Sequence, residues 1–511
     1  MSLRQSMAGL HTWGGLLPSW LLYVIIFAGT LACFDKELNS WMRPAVQQTS
    51  TASTASMSAD EVRAWLQANV KEDLHAFWMH GPTVREPYWK LGWEVDNSES
   101  THQVALDPKT REPVPDTVGG DFFFTLHYNL HSGLIGMYIV GMAGMFMLVA
   151  LVSGVIIHRR IFKDFFTLRP TANGQRAWLD AHNLFGVVGF PFHLVLAYTG
   201  VAIFVASYMP AGGQVAYKGD IQHFFTEVMG GFNREGVHQP GPEPRSLDAL
   251  IEQSRQHWGG VETGWVSVDH PGDLASVVNI RPYDTSRIRL PQSTLTYDAG
   301  TGELLNEQKP SMGYRAFGWL SGLHMVQFGG SLVRLLYLLL GLAGCAMLVG
   351  GINVWLAKRE ARGGAGIAVV RALNGAVFAG LPLASLALLW GNRLIPADTL
   401  ERANAEGWVF AGSWLLIAGW SLLRRNRPRA MLRDVLGLGS LLALGLPLLN
   451  VFLTEQRDLL ATLSRGDWSL AGIGLFLLLV GLLCALFAWH YQQPAEQAAP
   501  RRRVRVVEGG V

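Results

Sequence analysis

Seven histidines in this chain have positions suited to ligand chemistry inside a membrane. His127 and His131 are four residues apart at one mouth of an uncharged run, Gly133 to Ile157, and as one helix they would share a face. His158 stands at the other mouth, followed by Arg159 and Arg160. The run is long enough to cross roughly 30 Å of hydrocarbon as a helix. His11 and His182 open two further apolar stretches, and His324 precedes a fourth. His193 falls eleven residues beyond His182. At a helical rise of 1.5 Å per residue that is roughly 16 Å deeper, near mid-membrane. An imidazole so deep in lipid is costly unless it has a partner or a task. Imidazoles at both edges of a bilayer suit a group that works across it, so a membrane redox protein is the expectation. Interfacial histidines, comfortable half in water, are the alternative for any single one, above all His11 and His158.

The elements that place these histidines are apolar spans. Half of the 511 residues are hydrophobic and only 16% are charged, which is the composition of a polytopic membrane protein. Hydropathy predicts eight spans, near 12–34, 133–157, 184–206, 332–356, 367–390, 407–423, 432–453 and 469–489. The first is too long for a cleaved signal, and Thr30 is wrong for a lipoprotein box at Leu31-Ala32-Cys33. The organisation that follows is a first helix in 1–36, a soluble module in 37–124, and two helices joined by a basic loop in 125–208. A second module (209–322), a fourth helix (323–358), four more helices (359–492) and a basic tail (493–511) complete it. Basic clusters follow the second, fourth, sixth and eighth spans: Arg159-Arg160, Lys358-Arg359, Arg424 to Arg429, and Arg501-Arg502-Arg503. All four must share one side. The positive-inside rule makes that side the cytoplasm, with both termini there and both modules opposite.

Each module reads as α+β. In the first, Ser58 and Glu61 form a capping box ahead of a helix to Val70, 89–95 and 102–106 alternate as strands, and 107–110 is a turn. In the second, Leu247 to His257 is helical and several strands end at Thr296 to Leu304. Span–module–span thus occurs twice. Near the end of each opening span comes Phe27-Ala28-Gly29-Thr30 in one copy and Ala197-Tyr198-Thr199-Gly200 in the other. Asp107-x-x-Thr110-x-Glu112 matches Asp298-x-x-Thr301-x-Glu303, and His127-x5-Gly133 matches His324-x5-Gly330.

These residues also carry a family resemblance. Tyr297-Asp298-Ala299-Gly300-Thr301-Gly302-Glu303 resembles the closing strand-turn-strand of a PepSY domain. The spans with Leu10-His11, Leu126-His127, Ala181-His182 and Leu323-His324, with Ile157-His158-Arg159-Arg160-Ile161-Phe162-Lys163-Asp164-Phe165-Phe166, resemble PepSY-associated transmembrane proteins. These iron-regulated inner-membrane proteins of Gram-negative bacteria include ferric-siderophore reductases. The resemblance covers about 8–358 and departs at Arg111, where the pattern has Gly. It implies an all-α polytopic membrane bundle of about eight transmembrane helices with two small α+β PepSY-like periplasmic modules. It also implies b-type haem in the first four spans. With haem at both edges, two in all, the ligand candidates are His127 and His324 outside and His11 and His182 inside. His131, His158 and His193 are further candidates. The activity implied is reduction of a periplasmic ferric siderophore, in the company of membrane lipid and possible siderophore-handling proteins of the periplasm.

Other chemistry is absent from the sequence. The three cysteines lie in apolar spans and leave none for a disulfide framework, a zinc site or a thiolate-held cluster. Gly363-Gly364-Ala365-Gly366 lacks the strand and the acidic residue of a dinucleotide site. Basic residues are not massed for nucleic acid. Electrons must therefore come from a separate donor, a cytoplasmic reductase or membrane quinol. Two rivals remain, a non-enzymatic PepSY-type docking protein and a siderophore or iron permease. Against the permease, the sequence displays few buried carboxylates and no clearly broken helix pair.

Overall fold

The computed structural model describes residues 2–46, 57–96, 100–158, 167–169, 174–230, 232, 234–360, 366–454 and 457–492. The basic pair Arg159-Arg160, the stretch Ile161 to Phe166, Gly363 to Ala365 and the tail 493–511 lie outside them.

The first repeat runs α1 (Leu3–Leu16), α2 (Ser19–Ala32), α3 (Asp35–Trp41), α4 (Ala59–Asn69), β1 (Leu74–His80), β2 (Trp89–Val95), β3 (Thr101–Leu106), α5 (Asp121–Asn129) and α6 (Gly133–Ile157). The second runs α7 (Gly174–Val188), α8 (Phe190–Ala202), α9 (Leu247–His257), β4 (Thr263–Asp269), β5 (Val277–Pro282), β6 (Leu295–Asp298), β7 (Leu304–Glu307), α10 (Met312–Met325) and α11 (Gly330–Glu360). Then come α12 (Ile367–Leu394, with a π turn at Gly375–Ala379), α13 (Arg402–Leu423), α14 (Pro428–Leu453) and α15 (Trp468–Gln492).

Among the described residues five helices are long and apolar enough to cross a membrane: α6, α11, α12, α14 and α15. The pairs α1+α2 and α7+α8 raise the number to seven if each is one span, yet they are bent by 61° and 66°. This corrects the expectation of unbroken spans. Hydropathy is continuous across both breaks, but Pro18 at one and Gly189 with Pro191 at the other interrupt the backbone ladder. The predicted eighth span is α13. It is not among those five, and its first turns carry Arg402 and Glu406.

The two soluble modules are not separate sheets. They share one seven-stranded antiparallel sheet in the order β3-β2-β1-β4-β5-β6-β7. The repeats meet where β1 pairs with β4, Phe77 opposite Val268 and Met79 opposite Val266. Each module alone would leave an open edge there, and the antiparallel join removes both. α4 and α9 cover one face, where Val62, Leu66, Phe77, Met79, Leu91, Leu247, Leu250, Val266, Ile280 and Leu295 form a closed core. Ser58 and Glu61 make the capping box at α4. The two closing turns are the same turn. Asp298 Oδ1 accepts from the Gly300 and Thr301 amides, and Asp107 Oδ1 from those of Lys109 and Thr110. Arg111 takes the left-handed position (φ 64) that Gly302 (φ 74) holds in the other copy.

The last four helices are fastened to the first repeat. Leu381, Leu388, Phe410, Leu446 and Leu477 share a core with Tyr23, Ala28, Phe122 and Leu126. At its rim Glu406 is fully buried and pairs with Arg402 at 2.6 Å. Its other oxygen accepts from Thr117 Oγ1 at 2.6 Å and the Val118 amide at 3.0 Å. Glu406→Ala strands the Arg402 guanidinium in the interior and should cost about 3–5 kcal/mol of stability, read as a lowered midpoint of thermal unfolding in detergent. An unchanged midpoint would mean that this joint does not hold the bundle.

Candidate cofactor site

The repeat places four of the seven histidines in two pairs, each with one member from either repeat. The rings of His11 on α1 and His182 on α7 have centroids 6.2 Å apart and planes inclined at 67°. Those of His127 on α5 and His324 on α10 are 5.8 Å apart and inclined at 30°. Each ring is braced from within its own repeat. His11 Nδ1 donates to the Ala150 carbonyl of α6 at 2.9 Å, and His182 Nδ1 to the Met347 carbonyl of α11 at 2.8 Å. His127 Nδ1 donates to the Ile25 carbonyl of α2 at 2.8 Å. Thr199 Oγ1 spends its proton on the Val195 carbonyl at 2.7 Å and accepts from His324 Nδ1 at 3.0 Å. A carbonyl can only accept, so these bonds fix the proton on Nδ1 and leave Nε2 as the lone-pair nitrogen.

Glycines make room for the rings. A Cβ on Gly29 would stand 2.6 Å from His127 Nδ1, and one on Gly200 would stand 2.8 Å from His324 Cε1. At the other pair, Gly154 and Gly351 would place theirs 3.2 and 3.1 Å from the imidazoles of His11 and His182. Gly29 and Gly200 fall in the two blocks that close the opening spans of the repeat, Phe27 to Thr30 and Ala197 to Gly200.

The pairs fit bis-imidazole haem. A ligating nitrogen sits about 2 Å from its metal, which puts each ring centroid roughly 3 Å away and two opposed rings about 6 Å apart. Both pairs have about that spacing, no hydrogen-bond partner for any Nε2 among the described residues, and the second-nitrogen hydrogen bond that orients a ligating histidine. No group of three or more His, Cys, Asp or Glu that could hold a bare metal ion occurs among the described residues. Two-imidazole ligation of a macrocycle does not need one.

The other three candidates lie apart from the pairs. α5 ends at Asn129, and Leu130 and His131 turn left-handed (φ 55 and 52), so His131 does not continue the helix face of His127. Its Nε2 donates to the Phe122 carbonyl at 3.0 Å, which ties that break together. His158 is the exposed C-cap of α6. His193, 2% exposed, uses Nε2 on the Leu340 carbonyl at 3.0 Å, and its buried Nδ1 has no partner. It is the opposite tautomer from the paired rings. Sequence reasoning missed the charged groups near the end of the bundle that holds His127 and His324. There Glu37 is held by Arg85 through two bonds at 2.8 and 2.7 Å and by Arg334 at 3.3 Å. Their signal was faint, since single charges at span ends are ordinary.

The model for the PepSY-associated transmembrane region matches residues 8–358. The chain belongs to that family. The match closes where α11 ends, so both histidine pairs lie inside it and α12 to α15 lie beyond. An uncharacterised protein of Pseudomonas aeruginosa is 28% identical over 407 residues, 76% of this chain and 98% of that protein.

The glycine cradles give a direct check on this family member. Gly29→Val and Gly200→Val drive a side chain into His127 and His324; if these pairs hold haem, each substitution should lower the haem content of purified protein with helicity intact by circular dichroism. Gly14→Val, with nothing within 4 Å of its Cβ position, should leave it unchanged. Equal loss in all three would mean a general folding defect.

Proposed function

We propose that this protein is a bacterial inner-membrane reductase that passes electrons outward to a periplasmic ferric siderophore and releases Fe(II). The observation that carries the reading is the pair of histidine pairs at two levels of one bundle, each bridging the repeats with no hydrogen-bond partner on Nε2 among the described residues. His11 and His182 would hold haem at the cytoplasmic edge, and His127 and His324 at the periplasmic edge. Bound there, the two haems would supply one-electron carriers that split the membrane crossing into shorter hops.

The chain's own part is positional. The Nδ1 bonds hold the rings in one tautomer without a buried charge, and the apolar spans keep water from the path. The sheet stands above the outer pair, where a chelate can be presented. Reduction lowers the charge on the substrate iron, which weakens its hold on hard oxygen donors, and release follows. The donor at the inner face is a cytoplasmic reductase or membrane quinol.

In this reading α13 crosses the membrane from about residue 407, which gives eight spans. The basic clusters then share the cytoplasmic side, and the soluble sheet is periplasmic. Reporter fusions after residues 100 and 300 should score periplasmic, and those after 170 and 428 cytoplasmic. A cytoplasmic score at 300 reverses the orientation and the direction of electron flow.

The activity test uses chemically reduced protein in liposomes with the sheet outward. Ferric siderophore added outside should reoxidise it and yield Fe(II) in a ferrous-specific chelator. His182→Ala should leave that outer reoxidation intact while blocking entry from the inner face. Protein that binds haem yet forms no Fe(II) would refute the reductase.

The two bent helix pairs favour one other reading, since transporters use broken spans at their substrate sites. Uptake of radiolabelled chelate into liposomes without a reductant would support that permease. No uptake, with Fe(II) formed outside, supports the reductase.

A further inference from the structure

The face of the sheet turned away from α4 and α9 is polar, aromatic and basic, and it looks towards the membrane bundle. Strand alternation puts Lys90 and Gly92 on this face from β2, Trp78 and His80 from β1, Trp265, Ser267 and Asp269 from β4, and Asn279 and Arg281 from β5, where Asn279 holds the Asp269 carboxylate at 2.9 Å. Trp78 lies on Gly92, where a Cβ would stand 2.5 Å from the indole. The Arg281 guanidinium stacks 4.2 Å above the Trp265 ring. It forms no ion pair closer than 4 Å among the described residues, although the Asp269 carboxylate of β4 lies within electrostatic reach. His80 and Arg281 keep access to solvent, yet protein crowds both. Loss of water pushes His80 down to about 4 and Arg281 below its usual range. Lys36 of the bundle and Lys90 of this face meet on Glu86, so the face and the bundle mouth stand against each other.

The opposite wall is the bundle mouth. Lys36 of α3 and Lys90 both reach Glu86, at 3.7 and 2.5 Å. Arg85 clasps Glu37, Tyr283 lies within electrostatic reach of Arg85 and Arg334, and Tyr314 of α10 is within reach of Arg281. Arg334 is only 8% exposed, and its buried Nε has no partner. The floor connects to the outer histidine pair. Arg85 donates to the Cys33 carbonyl at 3.5 Å, Cys33 Sγ donates to the Gly29 carbonyl at 3.4 Å, and Gly29 carries the His127 ring.

We propose that this cleft, with Arg281 on Trp265 as its outer wall and Arg334 at its floor, binds an anionic metal chelate built from aromatic hydroxyl donors. That means a catecholate or phenolate chelate rather than a neutral hydroxamate. The assignment deepens the reductase reading, from which it takes the chelate as substrate. A guanidinium stacked on an indole can take a second ring on its other side, and its charge, with no carboxylate in direct contact among the described residues, attracts anionic oxygen. A neutral aliphatic hydroxamate satisfies neither demand, which is how the site would discriminate.

Gallium(III) chelates test binding apart from reduction, because gallium(III) has no accessible lower state. Calorimetry on the full-length protein in detergent should show Ga(III) tris-catecholate binding at least about tenfold tighter than neutral Ga(III) tris-acetohydroxamate. Arg281→Gln and Trp265→Leu should each weaken the catecholate by about tenfold, the equivalent of one good contact. Arg287→Gln, on an exposed loop beside Asp284, should not. Equal affinity for the two chelates, or indifference to the Arg281 and Trp265 changes, overturns the proposal even if Fe(II) is produced. Selective gallium binding without Fe(II) formation supports the cleft and counts against the reductase. If Arg334→Gln lowers haem content and leaves gallium affinity alone, Arg334 serves haem carboxylates instead, and the floor assignment falls.

Discussion

The structure depends on a hydrogen bond made four times. A neutral imidazole inside a membrane has two nitrogens to satisfy, and in four rings the Nδ1–H is taken by an acceptor on a neighbouring helix of the same repeat. The partner helix therefore decides which nitrogen keeps its lone pair and where it points. Because every brace stays within a repeat, the orientation of each ring is set by its own repeat. The meeting of the repeats sets the 6.2 and 5.8 Å separations. His193 shows the converse. It gives Nε2 to Leu340 and thereby stays out of both pairs.

That arrangement constrains the backbone. Rings can sit against a neighbouring helix only where it lacks side chains, hence Gly29, Gly154, Gly200 and Gly351. The returning spans begin with matching breaks. Leu130, His131 and Gly133 take positive φ in one copy, and Val326, Gly329 and Gly330 do so in the other. These breaks end the histidine-bearing helices just beyond His127 and His324, before α6 and α11 set out across the apolar layer. The soluble sheet joins the same two repeats a second time, through β1 and β4. Bundle and sheet are thus bridged by the same chain symmetry, and α12 to α15 fasten to one side of it.

Much of this was legible in the chain. Period and caps fixed α6, α4 and α9 almost to the residue, because Ser58 with Glu61 and an uncharged run are local signals. The repeat-matched histidines pointed to both pairs, since equal offsets in two copies imply equal depth. Other features depend on what the chain meets far away. β1 mixes Phe77 and Met79 on one face with Trp78 on the other, so its alternation is hidden. Its pairing with β4 depends on a strand almost two hundred residues distant. His127 and His131 read as one helix face because spacing alone does not reveal a left-handed break at Leu130. The bends at Pro18 and Gly189 were masked by continuous hydropathy. The mouth charges escaped notice because Glu37, Arg85 and Arg334 converge only in three dimensions.

The central claim is that the two pairs hold two separate haems, each between imidazoles of fixed orientation. The most direct measurement is the electron paramagnetic resonance spectrum of the oxidised, purified protein. Ring planes inclined at 67° in one pair and 30° in the other impose different ligand fields. The account predicts two distinct low-spin ferric signals, one lost in His182→Ala and the other in His324→Ala. A single signal, a high-spin spectrum, or two signals that both survive these substitutions would contradict it.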